Sequence, residues 1–203
     1  MMLLGSHANY EPPGWCRPLL GSVLTSLKSE HTVILPYLTG ARHICKLPGG
    51  QIYYESGLEL DSDGSIYARQ DKTGQGGTSL RAHGHPVDAN SIPYFVLPGG
   101  FPSKHHIRLG DIAAVLHRGQ IAFAVFADSG PAWKIGEGSI ALHRALGHET
   151  IRGGRLHDVG ISAEVITIVF PHSGDHTPQS PQRIQAKGRA ILANLVAQPL
   201  IVK

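Results

Sequence analysis

Residues 126–139 read Phe126-Ala127-Asp128-Ser129-Gly130-Pro131-Ala132-Trp133-Lys134-Ile135-Gly136-Glu137-Gly138-Ser139. Just upstream, Ile121 to Ala127 is a compact apolar run of strand length; just downstream, Ile140-Ala141-Leu142 and Ala145-Leu146 recur at helical spacing. The pattern predicts a strand that ends at Asp128 and a helix that begins at Glu137, joined by a loop that Gly130, Pro131, Gly136 and Gly138 turn. Outward from this unit, short apolar segments alternate with turns at Ile52 to Tyr54, Ile66 to Ala68, Tyr94 to Leu97, Ile112 to Leu116 and Ser162 to Phe170. With Ile121 to Ala127 they make six expected strands, and a chain holding 25 glycines and 14 prolines has the turns to connect them. The fold class is mainly β with a few helices, as a small barrel or a sandwich.

Residues 1 to about 46 read as an extension, with a loop at Glu11-Pro12-Pro13-Gly14, a short helix over Leu19 to Leu27 and a strand over His31 to Leu38. Ser162 to Phe170 alternates only in part, with Ala163, Val165 and Thr167 on one face and Glu164, Ile166 and Ile168 on the other. Such a strand is buried on both faces, so Glu164 needs either a cleft or an exposed edge. The tail from Arg183 to Val196 favours an amphipathic helix that packs through Ile184, Ile191, Leu192 and Leu195.

A chain of 203 residues with 41% hydrophobic and 16% charged residues folds as one ordinary domain with extensions. Its net charge of +3 comes without a Lys/Arg run or interleaved aromatics, which argues against nucleic acid as a partner. Glu55, Glu59, Asp61 and Asp63 crowd one segment and suit a cationic ligand, whereas Arg183, Lys187, Arg189 and Lys203 load the tail. Cys16 and Cys45 are the only cysteines and are expected as free thiols. Met1 to Tyr10 lacks a basic region followed by a long apolar core, so no secretory signal is recognised, and no 18-residue apolar stretch predicts a membrane span.

The chemistry suggested by the opening stretch is that of paired carboxylates. Hydrolysis of a glycosidic bond needs one carboxyl group to protonate the leaving oxygen and another to activate water or attack. Both residues also have plain structural readings: Asp128 as a turn former, and Glu137 as a favourable charge in a first helical turn. Asp61-Ser62-Asp63-Gly64 begins like a calcium loop but lacks the third ligand and the closing Glu; a turn or contacts to sugar amino groups remain. The histidine clusters His83-Gly84-His85, His105-His106 and His172 to His176 carry no zinc-site spacing. A triad of Ser129, His143 and Asp128 lacks a nucleophile-elbow context. Trp133, between the two acids, is either a stacking platform for a sugar ring or a loop anchor.

Several segments, in order, resemble glycoside hydrolase family 75, the chitosanases. They are Tyr53 to Gly64, Asp88-Ala89-Asn90-Ser91-Ile92-Pro93-Tyr94-Phe95-Val96-Leu97-Pro98, Gly110 to Val115, Asp128 to Ser139, and Phe170-Pro171-His172-Ser173-Gly174. Ser129 stands where the family has Thr, and His172 where it has Gly. The Asp-Ser-Gly-Pro-Ala stretch is also similar to a segment of double-psi β-barrels. The resemblance implies a six-stranded double-psi-like barrel over residues 47–174, flanked by the 1–46 extension and a 175–203 helical tail packed on it. It implies Asp128 and Glu137 as the catalytic carboxylates of an inverting chitosanase that cleaves β-1,4 bonds, with Glu137 as acid and Asp128 as base. Because a helix N-terminus lowers a carboxyl pKa, the acid role of Glu137 requires burial beside Trp133 or repulsion from a carboxylate such as Asp111. Asp61, Asp63, Asp111 and Trp133 are expected to bind substrate. No cofactor or metal is expected; the partner is the polysaccharide, without nucleic acid or membrane, and the chain is expected to be a monomer acting outside the cell. The alternatives are a peptidoglycan-cleaving lytic enzyme and a non-catalytic wall-binding module.

Overall fold

The computed structural model describes residues 11–17, 20–175 and 180–197. In chain order, helix α1 (Gly21–Leu27) precedes strands β1 (Val33–Ile34), β2 (Ala41–Lys46) and β3 (Ile52–Asp61). A small hairpin, β4 (Arg81–Ala82) with β5 (His85–Pro86), leads to β6 (Tyr94–Pro98) and α2 (Phe101–Lys104). Then come β7 (Ile112–His117), β8 (Gln120–Gly130), β9 (Glu137–Ser139) and α3 (Ile140–Ala145). A second hairpin, β10 (Ile151–Arg152) with β11 (Arg155–Leu156), is followed by β12 (Gly160–Phe170) and α4 (Pro181–Ala197).

Six strands close into a barrel in the order β3-β12-β7-β8-β6-β9, with β9 returning to β3. The β6–β8 and β3–β9 pairs are parallel, and the other four are antiparallel. Strand β3 changes partner part-way along: Ile52 to Ser56 pair with β2, and Glu59 to Asp61 pair with β9. Gly57 sits at the changeover, where a Cβ would lie 2.8 Å from the Ile161 carbonyl oxygen. The mainly β barrel agrees with the expectation, and five of the six expected strands are barrel strands. Ile66 to Ala68 is the exception. The chain turns there, Ile66 is 81% exposed, and residues 68–70 form a 3-10 turn. The sixth strand is Glu137–Ser139, three residues centred on Gly138 with no apolar alternation to announce it.

The barrel wall is apolar on both faces. One cluster joins Tyr53, Tyr94, Val96, Phe123, Val125 and Ile166 to Val23 of α1 and Ile184 and Leu192 of α4. The opposite cluster includes Tyr54, Phe95, Phe126, Val165 and Leu142 of α3. Ile191 and Leu195 of α4 pack partly buried against the first cluster, as the amphipathic pattern predicts. Gln185 of α4 completes the ladder of β8: the Phe123 N–H donates to its Oε1 at 3.2 Å, and its Nε2 donates to the Phe123 carbonyl at 2.7 Å. Glu164 is half-buried and lines a cavity with His117 and Arg118. It lies where the β12–β3 register shifts, with φ +61, and pairs with Arg118 at 3.5 Å. Cys16 and Cys45 are buried free thiols, and burial pushes the Cys45 thiol up to about 12. Met1 to Tyr10, Leu19, His176 and Lys203 lie outside the described residues.

Candidate active site

Strand β6 organises the site. Val96 pairs with Asp128 of β8 on one side and with Glu137 of β9 on the other. The two acids therefore flank a single strand, two interstrand spacings or about 10 Å apart at their α-carbons. A register shift between Phe95 and Val96 skips Ala127 and puts Asp128, rather than its neighbour, opposite Val96. Glu137 precedes Ser139, the N-cap of α3, by two residues, so it lies on a strand and not in the helix's first turn as the spacing predicted.

Asp128 is oriented by three donors to Oδ1: the Ser79 hydroxyl at 2.5 Å, the Ser79 N–H at 3.3 Å and the Ser129 N–H at 2.8 Å. Glu137 is held from the other side. Lys134 Nζ lies 2.8 Å from Glu137 Oε1 and 2.8 Å from Glu59 Oε2. Burial acts to lower the Lys134 pKa, but its hydrogen bonds to Glu137 and Glu59 outweigh that and raise it. Glu137 Oε2 rests over Gly130, where any Cβ would stand 2.7 Å from it. A side chain at this position would have to push the Glu137 carboxylate aside.

Asp61 and Asp63, at the end of β3, complete a cluster of carboxylates. Asp61 Oδ1 accepts the Asp63 N–H at 2.8 Å and the Tyr94 hydroxyl at 3.0 Å. Burial, with the Asp63 and Asp128 charges adding to it, pushes Asp61 up to about 7 against the pull of those two donors. Asp63 is raised to about 6, first by burial and then by Asp128, Asp71 and Glu137, although it accepts the Gln75 N–H. Asp61, Asp63, Asp128 and Glu137 are thus brought together. Beside them, a cavity of about 390 Å³ opens between Glu59, Asp71, Leu156, Asp158 and Val159.

Asp111 has a different place from the one expected. It is 1% exposed, and its carboxylate is taken up by the N–H groups of Arg108 at 2.8 Å, His172 at 3.0 Å and Gly174 at 2.8 Å. It ties the start of β7 to the turn after β12 instead of lining a cleft. Trp133 is 61% exposed on the loop between the two acids, with its carbonyl bound by the Thr39 N–H at 2.8 Å. His143 is buried between the carbonyls of Ser139 and Leu58, at 2.9 and 2.8 Å, which occupies both ring nitrogens away from any triad. The sequence places Glu59 in an acidic segment suited to a cationic ligand but gives Ser79, Lys134, Tyr94 and Gly130 no chemical part in the site. Ser79 lies 49 residues from its partner, and nothing local could reveal that pairing. Lys134, three residues before Glu137, carried at least a charge signal.

Residues 58–197 match the family described as fungal chitosanase of glycosyl hydrolase group 75. The chain belongs to glycoside hydrolase family 75. No curated protein matches it. The family 75 match runs from Leu58 in β3 to the last residue of α4, so it takes in all four clustered carboxylates and leaves α1, β1 and β2 outside. As a family 75 member the protein is a glycosidase of the chitosanase type, acting on a polysaccharide.

Proposed function

We propose that this family 75 protein hydrolyses the β-1,4 bonds of chitosan, partly deacetylated chitin, with inversion at the anomeric carbon. The placing of Asp128 and Glu137 on either side of Val96 carries the reading. Their α-carbon spacing of about 10 Å suits carboxyl groups about 6.5–9.5 Å apart, the separation that leaves room for one water. In this scheme Asp128, held through Oδ1, takes a proton from that water, and Glu137 delivers one to the departing sugar oxygen. With Glu137 on a strand two residues before the helix cap, the objection from the helix dipole weakens.

Substrate charge supports the same conclusion. Glucosamine units are cationic, and Asp61, Asp63 and Glu59 offer carboxylates beside the reacting pair. The cavity next to Glu59 gives a polymer somewhere to continue, and exposed Trp133 offers a ring face for a sugar. Chitosan is an extracellular polymer, so the proposed reaction takes place outside the cell.

The test is an assay of new reducing ends on chitosan, with peptidoglycan and chitin as parallel substrates. Glu137→Gln and Asp128→Asn should each lower the rate by about 10²–10⁴-fold while the protein stays folded. Proton NMR of the first products should show the α anomer. A variant that keeps full activity removes its residue from the mechanism, and a β product removes inversion.

A further inference from the structure

Parallel strands β3 and β9 place Glu59 and Glu137 opposite each other in register. Neighbouring strands lie about 4.8 Å apart, and like charges facing across that gap repel. Only Lys134, among the described residues, makes an ion pair with either glutamate, and it makes one with both. We propose that Lys134 is a positioning residue for Glu137: its ammonium, shared with Glu59, fixes the orientation of the carboxyl and balances the negative charge around it.

Several features make the lysine a fixed part of the site. Thr39 brackets it on both sides, its N–H donating to the Trp133 carbonyl at 2.8 Å and its carbonyl accepting the Ile135 N–H at 3.0 Å. The Lys134 N–H closes a turn onto the Pro131 carbonyl at 3.2 Å. The side chains of Lys134 and Glu137 are only 21% and 18% exposed, so solvent screens their contact weakly, whereas Glu59 is 48% exposed. The residues that meet Glu137 on the neighbouring strands carry no positive charge. Val96 of β6 is apolar, Gly130 of β8 has no side chain, Asp128 lies across Val96, and Asp63 adds a second negative charge.

The consequence has a definite sign. Taking the ammonium away leaves Glu137 facing Glu59 and Asp63 without compensation, and a carboxyl among carboxylates holds its proton to higher pH. If Glu137 is the acid, the alkaline limb of the rate profile reports it and must move upward. Glu59→Gln removes a repelling charge and leaves the whole ammonium to Glu137, so it must move the same limb downward.

This proposal rests on the catalytic role given to Glu137, and its test separates the two. The Glu137 carboxyl carbon is titrated by 13C NMR in the wild-type protein and in Lys134→Met, Lys134→Arg and Glu59→Gln, alongside the pH profile of chitosan hydrolysis. In Lys134→Met the midpoint should rise by about one pH unit or more. Lys134→Arg should restore it to within a few tenths, and Glu59→Gln should lower it. The limb of the profile that Glu137 governs should follow in each case, with kcat changing more than KM. Midpoints unmoved in both Lys134→Met and Glu59→Gln would overturn the proposal, and if one of the two does not fold, the other decides alone. Midpoints that shift while the rate profile stays fixed would keep the hold of Lys134 on Glu137 and remove Glu137 from the chemistry.

Discussion

Asp61 and Asp111 are both expected from the sequence to bind substrate, and the fold gives them different tasks. Asp61 ends up among other carboxylates with a raised pKa, whereas Asp111 receives three backbone N–H groups. Amide donors to a carboxylate are strong because the acceptor is charged, and here they join β7 to the turn holding His172 and Gly174. Asn at this position would keep one acceptor oxygen and turn an NH₂ donor toward N–H groups that are already donors. Asp111→Asn is therefore expected to lower the unfolding free energy by about 2–3 kcal/mol in urea melts. Wild-type stability in that variant would mean that the three contacts hold nothing together. The sequence shows where the acids are, but the direction each side chain takes depends on amides brought from residues 108, 172 and 174.

At the scale of elements, what could be read in advance was whatever carries a periodic apolar signal. The runs at Tyr94–Pro98, Ile112–His117 and Gln120–Gly130 form strands close to their expected bounds, and α4 buries Ile184 and Leu192 as its pattern requires. Strand β9 could not be found that way, because Glu137-Gly138-Ser139 is a strand only through its partners β3 and β6. The site shares that blindness: Asp128 and Glu137 were visible as a pair, but the strand between them and the lysine shared with Glu59 are products of topology. How tightly α4 is seated on β8 can be tested at Gly188, where a Cβ would lie 2.3 Å from the Phe123 ring. Alanine favours a helix over glycine by about 1 kcal/mol, while forcing a methyl group into a packed contact costs about 1–3 kcal/mol. The contact should prevail because Phe123 is also tied to Gln185, so the helix cannot lift without breaking two hydrogen bonds. Gly188→Ala should lower the melting temperature, and a rise would show that the helix rides free of the barrel.

Across the whole molecule, burying acids and gathering them in one place ties stability to pH. Asp61 and Asp63 have folded pKa values of about 7 and about 6, both above the ordinary value of 3.8. A carboxyl with a raised folded pKa binds more protons in the native state than in the unfolded chain, so its contribution falls as pH rises from about 4 to about 7. His143 acts in the opposite direction. Burial lowers its pKa, outweighing the two carbonyls that favour the charged ring, so its contribution to stability is lost as pH falls below the ordinary imidazole range. Comparing Asp61→Asn with the wild-type protein isolates the acid's share, because His143 is common to both. From pH 5 to pH 8 the stability of the variant relative to the wild-type protein should rise by about 2–3 kcal/mol. A difference independent of pH would mean that Asp61 ionises as an ordinary surface acid. The same cluster suits a cationic polymer: an ammonium group that favours the ionised acids offsets both their burial and their mutual repulsion. Binding of glucosamine oligomers should therefore release protons near pH 6 and remove much of that rise in the relative stability of Asp61→Asn, which calorimetry in two buffers and ligand-loaded urea melts would measure. If the oligomers bind without releasing protons, the carboxylate cluster is not where their charge is met.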